Sequence, residues 1–400
     1  MKIRRTIVIV LDSVGCGAAP DACFFNDAGA HTLKNAAHGA GGLNVPVMQK
    51  MGLGRIAHIE GVTPPAFPSA SWGRMTGVSP GKDTTTGHWE MAGIILDEPF
   101  ALFAEGFPDA VIQEFIKKTG RGVLANRAAS GTEIINELGD EHVRTGSWIV
   151  YTSVDSVFQI AAHEDVVPVE ELYEACRTAR KILDPYRVAR VIARPFEGTG
   201  GNYKRTTRRK DFSIEPVAPT CLDMVSEAKM PVVAVGKIGD IFAYRGITKA
   251  IHTDNNDHGM DVLEESLKSY DTGMIMVNLV DFDMLWGHRR DAEAYAAGLE
   301  AFDKRLGPVL ESLKQGDLLF ITADHGCDPC HHGTDHTREQ VPLLATGPGL
   351  KPVPLGIRET FADLGQTVCD ALGVTPVRSG TSFMKLIKGG QVDGTTFQWP

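Results

Sequence analysis

Four short apolar runs without polar alternation punctuate the chain, at residues 7–11, 232–235, 274–280 and 318–321. Runs of this length and texture are the pattern of strands covered on both faces of a parallel sheet. Elsewhere the apolar period becomes helical. Tyr295, Leu299, Phe302, Leu306, Val309 and Leu313 form one stripe, and Gly307-Pro308 within it is expected to kink or divide the helix. Phe361, Leu364, Val368 and Leu372 form another, closed by Gly373. Strands alternating with helices across residues 222–400 predict a parallel, doubly wound α/β layer with helices on both faces.

The middle of the chain has a different texture. Between about residues 97 and 220 lie tight-turn sequences, Thr119-Gly120-Arg121-Gly122 and Gly198-Thr199-Gly200-Gly201. A helix is predicted at 169–183, with strands at 148–152 and 190–193. The economical reading is a core built from residues 1–97 and 222–400, with a smaller domain, 98–221, inserted between its halves.

Composition narrows the class. At about 150 residues per domain, 400 residues correspond to two or three domains or to one core with an insertion. With 43% apolar and 22% charged residues the chain is globular rather than disordered. A net charge of −10 argues against a general nucleic-acid binder. Seven cysteines, an odd and small number, fit a reducing compartment. Lys2, Arg4 and Arg5 precede the first apolar run as in a signal peptide, but Asp12 cuts that run short. No apolar stretch approaches the roughly 18 residues of a membrane helix. A soluble, cytoplasmic protein is expected.

Three of the predicted strands are followed by acid. Leu11 runs into Asp12, Asn278-Leu279-Val280 into Asp281-Phe282-Asp283, and Ile321-Thr322-Ala323 into Asp324-His325. Ligands of open α/β sheets bind beyond the carboxyl ends of the strands, and carboxylates converging there repel one another unless a cation joins them. His288 stands five residues after Asp283, and His336 eleven after His325. Asp12, Asp283, His288, Asp324, His325 and His336 make two sets of about three ligands, a two-cation site for phosphoryl transfer. Carboxylate and imidazole donors together suit Mn²⁺, Zn²⁺ or Fe, and Mg²⁺ where oxygens dominate. Thr84-Thr85-Thr86, in a loop entering a predicted helix, brings three hydroxyls as candidate nucleophiles. The preceding Gly-Lys is not a P-loop, because Asp83 stands where Ser or Thr is required, and Gly15-Cys16-Gly17 is not a dinucleotide fingerprint. Cys327 and Cys330 form a single CxxC beside His331 and His332, which without a second pair is no zinc signature.

Taken together these stretches resemble the phosphopentomutases of the alkaline phosphatase superfamily. The matching segments are Val10-Leu11-Asp12-Ser13-Val14-Gly15, Gly81-Lys82-Asp83-Thr84 with Gly87-His88-Trp89-Glu90, and Tyr151-Thr152-Ser153-Val154-Asp155-Ser156. Arg190-Val191-Ile192-Ala193-Arg194-Pro195-Phe196 and Val235-Gly236-Lys237-Ile238 continue the match. Asp281-Phe282-Asp283 through Asp291, Thr322-Ala323-Asp324-His325-Gly326 and Gly333-Thr334-Asp335-His336-Thr337-Arg338-Glu339 complete it.

The resemblance implies an alkaline-phosphatase-like core, its mostly parallel sheet lying between helical layers, with an inserted α+β cap. It implies interconversion of ribose and deoxyribose 1-phosphates with the 5-phosphates, using two Mn²⁺ ions and a sugar 1,6-bisphosphate activator. Thr84 matches the family's phosphorylated threonine, with Thr85 and Thr86 as alternatives. Ser153, Asp155, Arg194, Arg209 and Lys237 match substrate contacts. The chain also carries Lys204, Arg205, Arg208, Arg209 and Lys210 in a predicted loop, where arginine's planar fork suits a distal phosphate. A metal-dependent phosphatase on the same core is the nearest alternative, and a sugar-phosphate sensor without turnover is one from another class.

Overall fold

The computed structural model describes residues 2–153 and 156–389. Strands along this chain are β1 (Arg5–Leu11), β2 (Ser71–Met75), β3 (Val123–Ala128), β4 (Trp148–Thr152), β5 (Val157–His163), β6 (Arg190–Thr199) and β7 (Asn202–Arg205). They continue as β8 (Lys210–Ser213), β9 (Val232–Val235), β10 (Lys249–Ile251), β11 (Gly273–Leu279), β12 (Asp317–Thr322), β13 (Val341–Thr346) and β14 (Pro354–Arg358). The chain divides into two compact units, Met1–Glu98 with Pro216–Pro400, and Pro99–Glu215.

The first unit is α/β, with a sheet in the order β10-β9-β11-β1-β12-β13-β2-β14. The four apolar runs of the sequence are β1, β9, β11 and β12, side by side and parallel. Every residue of each is buried. Their central position explains why the runs lack polar alternation. Beyond β12 the direction reverses, with β13 antiparallel to both β12 and β2. One helical group, Cys221–Glu227, Thr84–Met91 and Ala362–Leu372, packs around the last helix. A second group, Thr32–Gly39, Pro46–Met51 and Asn256–Ser269, packs against Ala292–Glu311. That long helix runs unbroken through Gly307-Pro308, contrary to expectation. Pro308 sits in its last turn, so the one intrahelical hydrogen bond it removes belongs to the carbonyl of exposed Lys304.

Arg5, which resembles the basic end of a leader, is buried beneath the sheet. Its guanidinium grips Asp317 at 2.9 and 2.5 Å and the Leu267 carbonyl at 2.7 Å, fixing the start of β1 to the start of β12. Truncating either partner leaves the other charge buried and unpaired.

The second unit holds a mixed sheet, β3-β4-β5-β6-β7, with β8 also pairing β6. Side-chain alternation along β4 feeds two cores. Trp148 and Val150 join Phe107, Phe115 and Phe158 on one face. Ile149 and Tyr151 join Ile134, Ile135, Phe196 and Tyr203 on the other. The helix predicted at 169–183 is present with those bounds. Of the basic run expected in a loop, Arg208 and Arg209 do lie in one, whereas Lys204, Arg205 and Lys210 sit on β7 and β8, both pairing with β6.

Candidate metal centre and nucleophile

Parallel β1, β11 and β12 end at one edge of the first sheet, which gathers the acids that follow them. Because β13 runs the other way, its entry segment, carrying His336, starts at that same edge. β2 reverses again, with Met75 paired to Val341, so the chain leaving β2 toward Thr84 emerges there too. The antiparallel pair therefore delivers the Thr84 loop to the edge where the acids gather.

Locally, the turns are specific. Ser13 adopts a left-handed backbone, φ 71°, immediately after Asp12. Such strain in a residue other than glycine persists where surroundings enforce it, and here the Ser13 amide donates to Asp324 Oδ1 at 3.1 Å. After β11, Phe282–Gly287 forms one π-helical turn. The His288 amide donates to the Asp283 carbonyl at 3.1 Å. Their five-residue spacing is therefore one turn of π-helix, which sets both side chains on one face.

The structure brings all six candidate ligands together. Asp283 lies 3.4 Å from His288 Nε2 through one oxygen and 3.2 Å from His336 Nε2 through the other. His325 Nε2 lies 3.2 Å from Asp324 and 3.5 Å from Asp12. Donor atoms of Asp12, Asp324 and His325 fall within 4.8 Å of one another, as do those of Asp283, His325 and His336. Asp283, His288 and Cys327 form a third such group. Cys327 Sγ sits 3.9 Å from His288 Nδ1, whereas Cys330 Sγ turns to the Asn35 carbonyl at 3.5 Å. The CxxC cysteines thus point to different neighbours.

Electrostatically the arrangement fits a cation. Asp12 Oδ1, Asp283 Oδ1 and Asp324 Oδ2 are buried and face imidazole nitrogens at 3.1 to 3.5 Å without the alignment of a hydrogen bond, an expensive condition unless a ligand engages them. Burial, reinforced by Asp324 and Asp283, pushes the Asp12 carboxyl up. Burial also opposes ionisation of Asp324, but His325 and His88 hold its carboxyl well below the usual range. Burial works against protonation of His325, yet Asp324, Asp12 and Asp283 raise it to about 10. The surrounding carboxylates thus favour a proton on His325, one that a divalent cation would displace. Oxygen and imidazole donors in this number fit a divalent ion.

Thr84 opens the helix Thr84–Met91, whose N-cap is Asp83. Asp83 accepts from the Thr86 amide at 3.0 Å and from its hydroxyl at 2.6 Å, so the Thr86 hydroxyl is committed to capping. Thr84 Oγ1 instead reaches His325 Nε2 at 3.2 Å. The preceding loop is clamped from two sides. Arg338 donates to the carbonyls of Gly77, Ser79 and Gly81 at 2.7, 2.9 and 2.7 Å. Glu90 accepts from the amides of Val78 and Ser79 at 3.0 and 2.7 Å. Sequence reasoning gave neither residue a role, nor His88 or Asn278, both of which touch the ligands. The only signal was their place inside matched segments or a buried strand.

Lys237 follows β9 in the same unit, where its charge favours ionised Asp12. In the second unit, Arg194 on β6 bonds Gln159 at 3.0 Å. Burial, with Arg209 and Arg205 nearby, lowers Arg194 to about 10. Arg209 makes a forked pair with Asp211, both contacts 2.8 Å. Ser153 follows β4, and Asp155 lies outside the described residues. Among the described residues, no helix is long and apolar enough to cross a membrane.

Comparison with known proteins places this geometry. Residues 4–376 match the Metalloenzyme superfamily. A phosphopentomutase of Clostridium novyi is 55% identical over 387 residues, 96% of this chain and 99% of that protein. One from Anaeromyxobacter dehalogenans is 56% identical over 382 residues, 95% of this chain and 97% of its own length. Among solved structures, a phosphoglycerate mutase of Leishmania mexicana aligns over 96% of this chain and 98% of its own, with 14% identity and a TM-score of 0.48. With nearly its whole length matched at such identity, this chain belongs to the phosphopentomutase family of metal-dependent phosphomutases.

Proposed function

We propose that this protein interconverts ribose 1-phosphate with ribose 5-phosphate, and the deoxyribose esters likewise, through phosphorylated Thr84 and a pentose bisphosphate. One observation carries the reading: the Thr84 hydroxyl lies 3.2 Å from His325, the imidazole common to two of the acid–imidazole groups. Asp12, Asp324 and His325 would hold one divalent ion, and Asp283, His288 and His336 a second. We assign manganese to both, with a sugar 1,6-bisphosphate charging Thr84. Bound there, such ions polarise phosphoryl oxygens and stabilise attacking and leaving alkoxides.

The chain's own groups do the rest. The start of the helix Thr84–Met91 directs backbone amides toward a phosphate on Thr84, and the Thr85 amide is one the Asp83 cap does not occupy. Phosphothreonine 84 gives its phosphoryl group to the free hydroxyl of the pentose ester. After the bisphosphate reorients, Thr84 accepts the other phosphoryl group, so the ester count is unchanged. Arg194 and Arg209, with Ser153 and Asp155, are assigned to the sugar and its far phosphate, and Lys237 to the substrate near the acidic edge. In this division the first unit is the catalytic core and the second a cap that binds sugar phosphate.

Phosphorus NMR of manganese-loaded protein given ribose 1-phosphate and a catalytic amount of glucose 1,6-bisphosphate tests the proposal. Ribose 5-phosphate should accumulate at constant total ester. Stoichiometric inorganic phosphate instead would identify a phosphatase.

A further inference from the structure

Asp12 and Asp324 are each held by side chains that the reaction itself does not require. Asn278, buried on β11, donates from Nδ2 to Asp12 Oδ2 at 2.8 Å. The same Nδ2 stands 3.4 Å from His88 Nε2. An ionised carboxylate only accepts, so Asp12 fixes which way the Asn278 amide faces. Nε2 of His88 is then the acceptor, and Nδ1 carries the proton. That Nδ1 lies 2.8 Å from the Thr84 carbonyl and 3.1 Å from Asp324 Oδ2. His88 is fully buried and stands one helical turn after Thr84.

Gly87 permits this approach. A Cβ there would fall 2.1 Å from the Asp324 carbonyl oxygen and 2.9 Å from its Cβ. The nucleophile's helix therefore rests directly on the strand end that carries Asp324.

We infer that His88 and Asn278 are positioning residues: a bridge running Asp12–Asn278–His88–Asp324, with a branch to the Thr84 backbone, by which the cation ligands and the nucleophile place one another. The inference rests on the cation-binding reading of these carboxylates. Because coupling between sites is reciprocal, cation binding should quieten the start of the Thr84 helix, and cutting the bridge should weaken cation binding.

Manganese affinity measured by titration calorimetry, together with amide hydrogen exchange at residues 84–87 with and without Mn²⁺, tests this. His88→Leu should weaken Mn²⁺ binding about 10- to 100-fold and abolish the Mn²⁺-dependent slowing of exchange. His88→Asn, which keeps a donor near the Nδ1 position, should recover most of both. A folded His88→Leu chain with affinity within twofold of the parent and the slowing intact overturns the bridge. Should His88→Leu fail to fold, Asn278→Ala cuts the bridge at its other end and decides by the same two readouts. A parent chain that binds no Mn²⁺ overturns the cation reading itself, and the bridge with it.

Discussion

In the first unit, Asp12, Asp283 and Asp324 are buried beyond strand ends, each with an oxygen that faces imidazole nitrogen without an aligned hydrogen bond. In the second, Arg205 and Arg209 are exposed and Arg194 only half-buried, with Asp211 and Gln159 already paired to two of them. One region buries carboxylates among imidazoles, away from water. The other keeps arginines near water with partners at hand. The first condition suits groups that must be rigid while bonds break; the second suits groups that catch and release a substrate's far end, since exposed charges cost little to leave unliganded.

The sharpest way to break this contrast is to remove the proposed nucleophile. Thr84→Val should lower isomerase turnover at least about 10³-fold, near 4 kcal/mol of barrier, while manganese content stays at the parental level. Normal turnover would remove Thr84 from the chemistry. Next in size is the response to cation. Mn²⁺ at a hundred times its dissociation constant should stabilise the protein by about 2.7 kcal/mol, with hydrogen exchange slowed in β1, β11 and β12 and a chelator reversing it. Equal slowing in β4 to β6 would contradict a cation site confined to the first unit. Arg194→Met should act on the other side, raising KM roughly 10- to 100-fold with a smaller change in kcat and no change in Mn²⁺ affinity. If kcat alone falls, Arg194 belongs with the chemistry and the contrast fails.

The smallest effect is one of pH. Burial beside Asp324 and Asp283 raises Asp12 to about 6 before a cation binds. A raised carboxyl holds its proton in competition with the metal, and so does His325, raised to about 10. Affinity should therefore climb with pH from 5 to 8, with an added fall of about tenfold per unit below pH 6 where Asp12 also takes a proton. Calorimetry across that range reads this directly, and a profile without the steeper limb would exclude Asp12 as a ligand.

The parallel half of the first sheet was legible in the sequence because burial on both faces leaves nothing but apolar residues in β1, β9, β11 and β12. The antiparallel half was not. Pro342 argues against a central strand, yet it lies in β13. Pairing with β12 begins only at Leu344, so Pro342 has β2 alone as its neighbour. In β2, Gly73 interrupts a five-residue alternation too short to stand out. Acids and imidazoles at strand ends could be read because their chemistry is unusual there. His88 and Asn278 could not, because a polar side chain inside a helix or strand declares itself only when its neighbours are known. Part of the basic run was misplaced for a similar reason: Lys204 and Arg205 are exposed on a strand paired on one side, where charge is tolerated and masks the strand.

Strand β1 lies between β11 and β12, and this sets an order of events during synthesis. Its partners are residues 273–279 and 317–322, so most of the polypeptide must leave the ribosome before the first strand finds a neighbour. The segment Pro99–Glu215 is contiguous and can close on itself meanwhile. The nascent chain thus carries an apolar strand that stays unpaired while the segment behind it can already close into a domain.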